Sequence, residues 1–252
     1  GIGLFAVGYQ RGCKPAGEDK GGCLSWSEME IIRSTIQEIK TKCRWCVVVA
    51  HGGEEFTAIP SPYTRDRYHA YLEMGADLVV CHHPHVPMNY ETVGDKMIFY
   101  SLGNFIFDTD YQRAQFNTEK GILLKLHFTE DRYSFEAFGL KINRENEHIE
   151  SAPLPKIFAD IQEDDYNKLE PLAAKMFLAA TKRQQLFLYP DKFKNATEAQ
   201  WKDHFYEEKR SGRVPGEALD FQIIYPIAQE EAKGAWKECK LEAVKAYILE
   251  QM

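Results

Sequence analysis

The sequence predicts an α/β protein in which strands and helices alternate over about the first 150 residues. Short apolar runs at 46–50, 77–81 and 97–102 have the length of buried strands. A segment with helical spacing, 64–74, separates the first two runs. A β-α-β unit of this kind places two parallel strands in one sheet. The pattern changes at the Pro-rich stretch 151–155, beyond which the chain is expected to be mainly helical.

The first elements follow in order along the chain. The apolar start at 1–8 is typical of a strand, and a Gly- and Lys-rich loop follows it. Ser27 and Glu30 have the spacing of a capping box, which predicts the start of a helix there. Apolar residues then recur on one face of this helix, which should pack on a sheet: Met29, Ile32, Ile36 and Ile39.

Two longer segments, 121–128 and 133–142, flank a short polar stretch and predict an antiparallel hairpin. Apolar and polar residues alternate along the first segment, which predicts one buried face formed by Leu124, Leu126 and Phe128. We expect 1–153 to form one α/β domain and 154–252 to form a helical extension. Apolar residues recur at helical spacing in 169–184 and 230–251, as is typical of packing surfaces.

Composition excludes some classes of function. The 252 residues include 31 Lys and Arg against 38 Asp and Glu, a net charge of −7 that argues against general nucleic-acid binding. The longest apolar runs fall far short of the ~20 residues that span a bilayer, so no membrane span is predicted. The chain starts without Met or a signal-peptide pattern, and we expect a processed chain or a fragment.

Six cysteines do not make a disulfide-dense scaffold in a chain of this length. Cys13 and Cys23 could pair in an oxidising compartment, and the sequence leaves the compartment open. Cys43 and Cys46 have the spacing of a redox or zinc half-site, but no second pair follows and Cys46 begins an apolar run. We therefore favour structural cysteines over a redox module.

Four of the eight histidines come directly after the two strands of the β-α-β unit: His51 after the first, and His82, His83 and His85 after the second. The carboxyl ends of parallel strands meet at one edge of the sheet, where α/β proteins bind ligands. Neutral imidazoles gathered there are natural ligands for divalent metals. Pro84 stiffens the spacing between its two neighbouring histidines. The other histidines are expected on polar faces: His69, His127, His148 and His204.

A third loop, 100–108, follows the next strand and points to the same edge. Asn104 could orient a ligand there or donate to a substrate oxygen, and Gly103 would let the backbone approach closely. On its own this loop would be interpreted as a turn. Glu54 and Glu55 follow two glycines. They could accept hydrogen bonds from the metal ligands or bind a cationic group of a substrate, and on their own they would be interpreted as exposed loop acids.

These three motifs, at 51–56, 75–86 and 100–108, resemble the bacterial CapA family in order and spacing. Members of that family are poly-gamma-glutamate capsule synthesis proteins with a calcineurin-like metallophosphoesterase fold. The resemblance covers roughly residues 1–150. It implies the second half of an α/β/β/α sandwich, followed here by the helical extension.

The resemblance also implies a site and a function. His51 and His83 would bind one divalent metal (Mn, Zn or Fe) and His85 a second, with Glu55 and Asn104 in supporting roles. The implied function is the biosynthesis, processing or export of poly-gamma-glutamate or a similar capsule polymer by metal-dependent hydrolysis. An anionic polymer or a small molecule would be the substrate. The family usually works at the cell envelope.

The sequence departs from the family pattern in several places. Family members usually have Trp where Gly52 stands and Gly where Cys81 stands, and the sequence contains neither Asp-x-His nor Asn-His. We therefore expect a missing N-terminal segment or partner chain to complete the metal site. One alternative is that three histidines bind a single zinc. Another is a non-catalytic scaffold or binding protein that retains the fold.

Overall fold

The computed structural model describes residues 1–9, 14–170, 173, 176 and 189–210. Its strands are β1 (Ile2–Gly8), β2 (Trp45–His51), β3 (Leu78–Cys81), β4 (Tyr90–Val93), β5 (Lys96–Phe99), β6 (Lys120–Phe128), β7 (Tyr133–Asn143) and β8 (His148–Ala152). Its helices are α1 (Met29–Lys42), α2 (Pro62–Glu73), α3 (Asp110–Arg113), α4 (163–170), α5 (Pro190–Phe193) and α6 (Glu198–Arg210).

The first sheet has five strands in the order β1-β2-β3-β5-β4. All neighbours are parallel except β4 and β5. Val48 at the centre of the sheet lies between Phe5 and Val79 on the adjacent strands. The predicted α/β class and the predicted parallel β-α-β unit are therefore confirmed. The short antiparallel strand β4 was not predicted.

Alternate residues of the first sheet face two different layers. Val48 and Val79 pack with the α1 residues Ile32 and Ile36 and with apolar residues of α2. Neighbours of opposite orientation, such as Val47, face the second sheet. Helices therefore cover one face of the first sheet, and the second sheet covers the other.

The second sheet is antiparallel, in the order β6-β7-β8. The predicted hairpin and its buried face are confirmed, because Leu124, Leu126 and Phe128 pack against Val47, Leu78 and Phe99 of the first sheet. Strand β8 was not predicted. The indole Nε1 of Trp45 donates to the carbonyl of Thr129 at 2.8 Å and ties the two sheets together.

The predicted capping box at the start of α1 is wrong. The N-cap position is Glu28, whose side chain makes no capping hydrogen bond. The Ser27 hydroxyl lies 2.8 Å from the Ser25 hydroxyl instead, so it does not serve the helix. The second helix begins at Pro62, where the Ser61 hydroxyl accepts from the Thr64 N–H as an N-cap.

The predicted helices at 169–184 and 230–251 lie mostly or wholly outside the described residues, and the proposed domain boundary stays a prediction. No helix in the described ranges combines the length and apolar character needed to cross a membrane. Cys13 also lies outside them, whereas Cys23, Cys43, Cys46 and Cys81 are free thiols. Burial raises the pKa of Cys46 to about 11, which disfavours the redox alternative.

Candidate metal centre

Two histidine-bearing loops meet at the carboxyl edge of the first sheet. Strands β2 and β3 are adjacent and parallel, so His51 at the end of β2 lies beside the residues that follow Cys81. Nδ1 of His83 is 3.1 Å from Nε2 of His51. The backbone N–H of Phe56 donates to the carbonyl of Pro84 at 2.9 Å and joins the two loops.

Three side chains offer ligand atoms to a common point. Glu55, His83 and His85 each contribute one nitrogen or oxygen within 4.8 Å of the others. Nε2 of His85 lies 3.9 Å from Oε1 of Glu55. Two imidazoles and a carboxylate suit zinc, manganese or iron. His51 adjoins this group through His83.

The electrostatics of the cluster favour neutral imidazoles. Burial, together with the nearby His82 and His85, lowers the pKa of His51 to about 4. Burial also lowers the pKa of His82 and His85, and lowers that of His83 well below its usual value. At neutral pH these rings are uncharged and carry lone pairs, so the residues fit a divalent metal.

The loop that carries His85 has an unusual backbone. His85 has φ 62°, in the left-handed region that side chains rarely adopt. Its N–H donates to the carbonyl of His82 at 3.2 Å, closing a tight turn around Pro84. Strain of this kind persists where the surroundings enforce it, and it often occurs at functional sites. Here the turn aims two imidazoles at one cavity.

Asn104 brings the third predicted loop to the cluster. Its Oδ1 lies 2.8 Å from Nδ1 of His85. An amide oxygen only accepts, so Nδ1 carries the ring proton and Nε2 keeps its lone pair on the side of Glu55. At Gly103 the backbone approaches the start of the second sheet closely, because an added Cβ would lie 2.6 Å from the carbonyl oxygen of Lys120.

The cluster lines a cavity of about 720 Å³ whose lining combines polar and apolar groups. The polar lining residues are His51, Glu55, His82, His83, His85 and Asn104. The apolar ones are Leu102, Phe105, Ile106, Phe107, Ile122, Leu123 and Leu124. A ligand in this cavity would meet both metal-binding groups and hydrophobic side chains.

Several residues of the site were not predicted. Trp26 fills the space beside Gly52, where an added Cβ would overlap its ring. Tyr9 packs edge-on against Trp26 at 5.2 Å and lies 5.9 Å from the ring of His83. No local sequence pattern could have indicated that Trp26 lies beside Gly52. Phe107 lies 5.1 Å from the ring of His85, and its position in the third loop could have indicated it.

Glu54 and Cys81 support the site from outside the cluster. The Glu54 carboxylate accepts from the hydroxyls of Ser61 at 2.8 Å and Thr64 at 3.0 Å, so it braces the start of α2. Burial raises the pKa of Glu54 and also that of the Cys81 thiol. The thiol donates to the Gly52 carbonyl at 3.0 Å behind the histidine loops.

Comparison with known proteins gives this region a family context. Residues 9–109 match the family model described as "Bacterial capsule synthesis protein PGA_cap". Over 85 residues the chain is 39% identical to "Capsule biosynthesis protein CapA" of Bacillus anthracis, covering 34% of this chain and 20% of that protein. Over 89 residues it is 38% identical to "PGA biosynthesis protein CapA" of Bacillus subtilis (strain 168), covering 35% and 23%.

These matches span about a fifth of the length of each curated relative. The matched segment, residues 9–109, contains all three motifs in full, including both histidine loops and Asn104. The predicted resemblance to the CapA family is therefore confirmed for this segment.

Proposed function

We propose that this chain, a relative of the bacterial capsule synthesis proteins, takes part in making, processing or exporting a capsule polymer such as poly-gamma-glutamate at the cell envelope. The proposal includes metal-dependent hydrolysis as its chemistry. The observation that carries it is the cluster of Glu55, His83 and His85, whose ligand atoms gather within 4.8 Å inside the segment that matches the family. Both relatives are named for capsule or PGA biosynthesis.

Each polar residue has a role in this proposal. Glu55, His83 and His85 would bind one divalent ion, and His51 would join them through its contact with His83 or serve a second ion. A bound Mn, Zn or Fe ion would supply Lewis-acid chemistry, polarising a carbonyl or phosphoryl oxygen of the substrate and making water more acidic. Asn104 orients the imidazole of His85. The cavity gives an anionic polymer end or a small molecule access to the cluster.

The proposal extends to the fold. Helices on one face of the first sheet and a second sheet on the other support half of a metallophosphoesterase-like α/β/β/α sandwich, with 154–252 as a helical extension. A further segment or a partner chain would supply the remaining ligands. The exposed Ile2 and Leu4 on the edge strand β1 support this addition, because apolar edge strands are usually covered.

Metal content tests the proposal directly. The purified chain is incubated with Mn²⁺ or Zn²⁺, desalted and measured by elemental analysis beside His83→Ala and His85→Ala. We expect bound metal in the wild type and at least about a tenfold loss of affinity in each variant. His127→Ala is the matched control, because His127 lies on the exposed face of the hairpin. Equal metal content in all four proteins would refute a metal centre at these loops.

Hydrolysis is tested separately with bis(4-nitrophenyl) phosphate and with poly-gamma-glutamate. Metal-dependent turnover that is lost in His83→Ala supports the hydrolytic part of the proposal. The apolar residues that line the cavity favour one alternative, a binding protein without catalysis. That alternative predicts retained binding of the polymer, measured by co-sedimentation, with no turnover in the metal-loaded protein.

A further inference from the structure

We propose that Gln112 is a positioning residue for His85 and acts through Asn104. This inference rests on the proposed metal centre, because it concerns which nitrogen of His85 is available as a ligand. No sequence motif indicated Gln112. It lies in the short helix α3, which the sequence did not predict as an element.

The first step concerns the Asn104 amide. Its Nδ2 donates to Oε1 of Gln112 at 3.1 Å and to the backbone carbonyl of Thr118 at 3.1 Å. A backbone carbonyl can only accept, so the amide nitrogen must face Thr118. The amide oxygen consequently faces His85. Gln112 is 2% exposed and Thr118 is 0% exposed, so water does not substitute readily for either acceptor.

The second step concerns how Gln112 is itself fixed. The Thr118 hydroxyl donates to the Gln112 backbone carbonyl at 2.5 Å, and the Thr109 hydroxyl accepts from the Gln112 N–H at 3.3 Å. Arg144, in the turn between β7 and β8, donates to the Thr118 hydroxyl at 2.9 Å and to Oδ1 of Asp108 at 3.0 Å. The second sheet therefore anchors the group that orients Asn104.

The third step links the amide to the imidazole. With its oxygen toward His85, Asn104 accepts from Nδ1–H and leaves the lone pair of His85 on Nε2, beside Glu55. A rotated amide would present its NH₂ group to Nδ1 and favour the tautomer with the proton on Nε2. That tautomer cannot bind a metal through Nε2. Removing the Gln112 acceptor removes one of the two bonds that oppose this rotation.

The tautomer of His85 can be measured on the full chain without metal. Long-range ¹H–¹⁵N NMR spectra of the histidine rings report which nitrogen is protonated, and His85→Gln assigns the signals. We expect the Nδ1–H form in the wild type and a mixture with the Nε2–H form in Gln112→Met, which has nearly the same shape but a poor acceptor. Gln112→Glu keeps an acceptor oxygen and should restore the wild-type tautomer.

Gln115→Met is the matched control, because it makes the same change at a glutamine three residues away, whereas the Asn104 amide donates to Gln112 and Thr118. Its spectrum should match the wild type. Zinc affinity should fall about tenfold in Gln112→Met and recover in Gln112→Glu. Thermal unfolding of each metal-free variant shows whether the chain is folded.

The outcomes separate this inference from the proposed function. An Nε2–H tautomer in the wild type overturns the positioning role, even if Gln112→Met fails to fold. An unchanged tautomer in folded Gln112→Met overturns it as well. If the wild type binds no Mn²⁺ or Zn²⁺, the metal centre fails, while the tautomer measurement still decides whether Gln112 orients His85.

Discussion

The two sheets both place a histidine beside a glutamate, and only the first sheet makes a candidate site from them. On the second sheet, Nε2 of His127 lies 2.6 Å from Oε1 of Glu136, but these side chains are 44% and 50% exposed. At the edge of the first sheet, Nε2 of His85 lies 3.9 Å from Glu55, and the exposed fractions are 13% and 28%. The shorter contact is the less promising one, because it is solvent-exposed and, among the described residues, no third metal-ligating side chain joins it.

The same contrast holds for the glutamates that accept several hydrogen bonds. Glu91 on β4 accepts from Arg65, His69 and Tyr100 in a buried network that joins the first sheet to α2. Glu136 accepts from Lys125 and His127 on an exposed face. Two glutamates with similar hydrogen-bond partners therefore contribute differently to the free energy of unfolding, and the difference arises from burial.

The largest expected effect comes from breaking the buried network. Glu91→Ala leaves Arg65 without its carboxylate in a buried setting, and we expect it to lower the free energy of unfolding by about 3–5 kcal/mol. Glu136→Ala should leave the free energy of unfolding unchanged within error. Urea unfolding followed by circular dichroism measures both. A similar loss in the two variants would contradict the contrast between the sheets.

An intermediate effect is expected from filling the space beside two glycines. In Gly52→Ala the new methyl group would overlap the Trp26 ring, and in Gly139→Ala it would meet the backbone oxygens of Ala152 and Pro153. Each change should cost about 1–3 kcal/mol of unfolding free energy. Only Gly52→Ala should also weaken zinc binding, because it alone lies behind the histidine loops. Weaker zinc binding in both variants would contradict this, because it would show that packing at the edge of the second sheet also affects the metal site.

The smallest expected effect is the change in unfolding free energy per pH unit that the buried Glu91 network produces in acid. Burial alone would raise the pKa of Glu91, but hydrogen bonds from His69, Arg65 and Tyr100 outweigh it and lower the pKa from 4.5 to about 2. The unfolded chain therefore takes up this proton first as the pH falls. The contribution of Glu91 is complete above about pH 4.5 and is lost toward about pH 2, with a slope of at most about 1.4 kcal/mol per pH unit.

Unfolding curves between pH 2 and pH 6 test this window. Glu91→Gln cannot titrate, so the gap in stability between it and the wild type should narrow as the pH falls. Glu136→Gln, which has lost an exposed carboxylate instead, should keep the acid sensitivity of the wild type. A gap for Glu91→Gln that stays constant over the range would show that Glu91 does not carry this dependence.

Much of the fold followed from the sequence because the signals were local. The buried strands 46–50 and 77–81 are apolar on both faces, and the hairpin alternates with period two, so each pattern needs only near neighbours. The convergence of His51 with His83 also followed, because parallel neighbours end at the same edge. The capping-box prediction was wrong, because the Ser27 hydroxyl contacts the Ser25 hydroxyl instead of the helix, and residue spacing does not reveal such a contact.

The sequence by itself determined the α/β class, the parallel unit and the histidine loops, since their causes lie within a few residues or in the rules of strand connection. Only the tertiary structure decided that Glu55 joins His83 and His85, that Trp26 fills the space at Gly52, and that Gln112 and Thr118 fix Asn104. These contacts join segments that are far apart in the chain. They depend on how packed elements dock, and no local periodicity records that geometry.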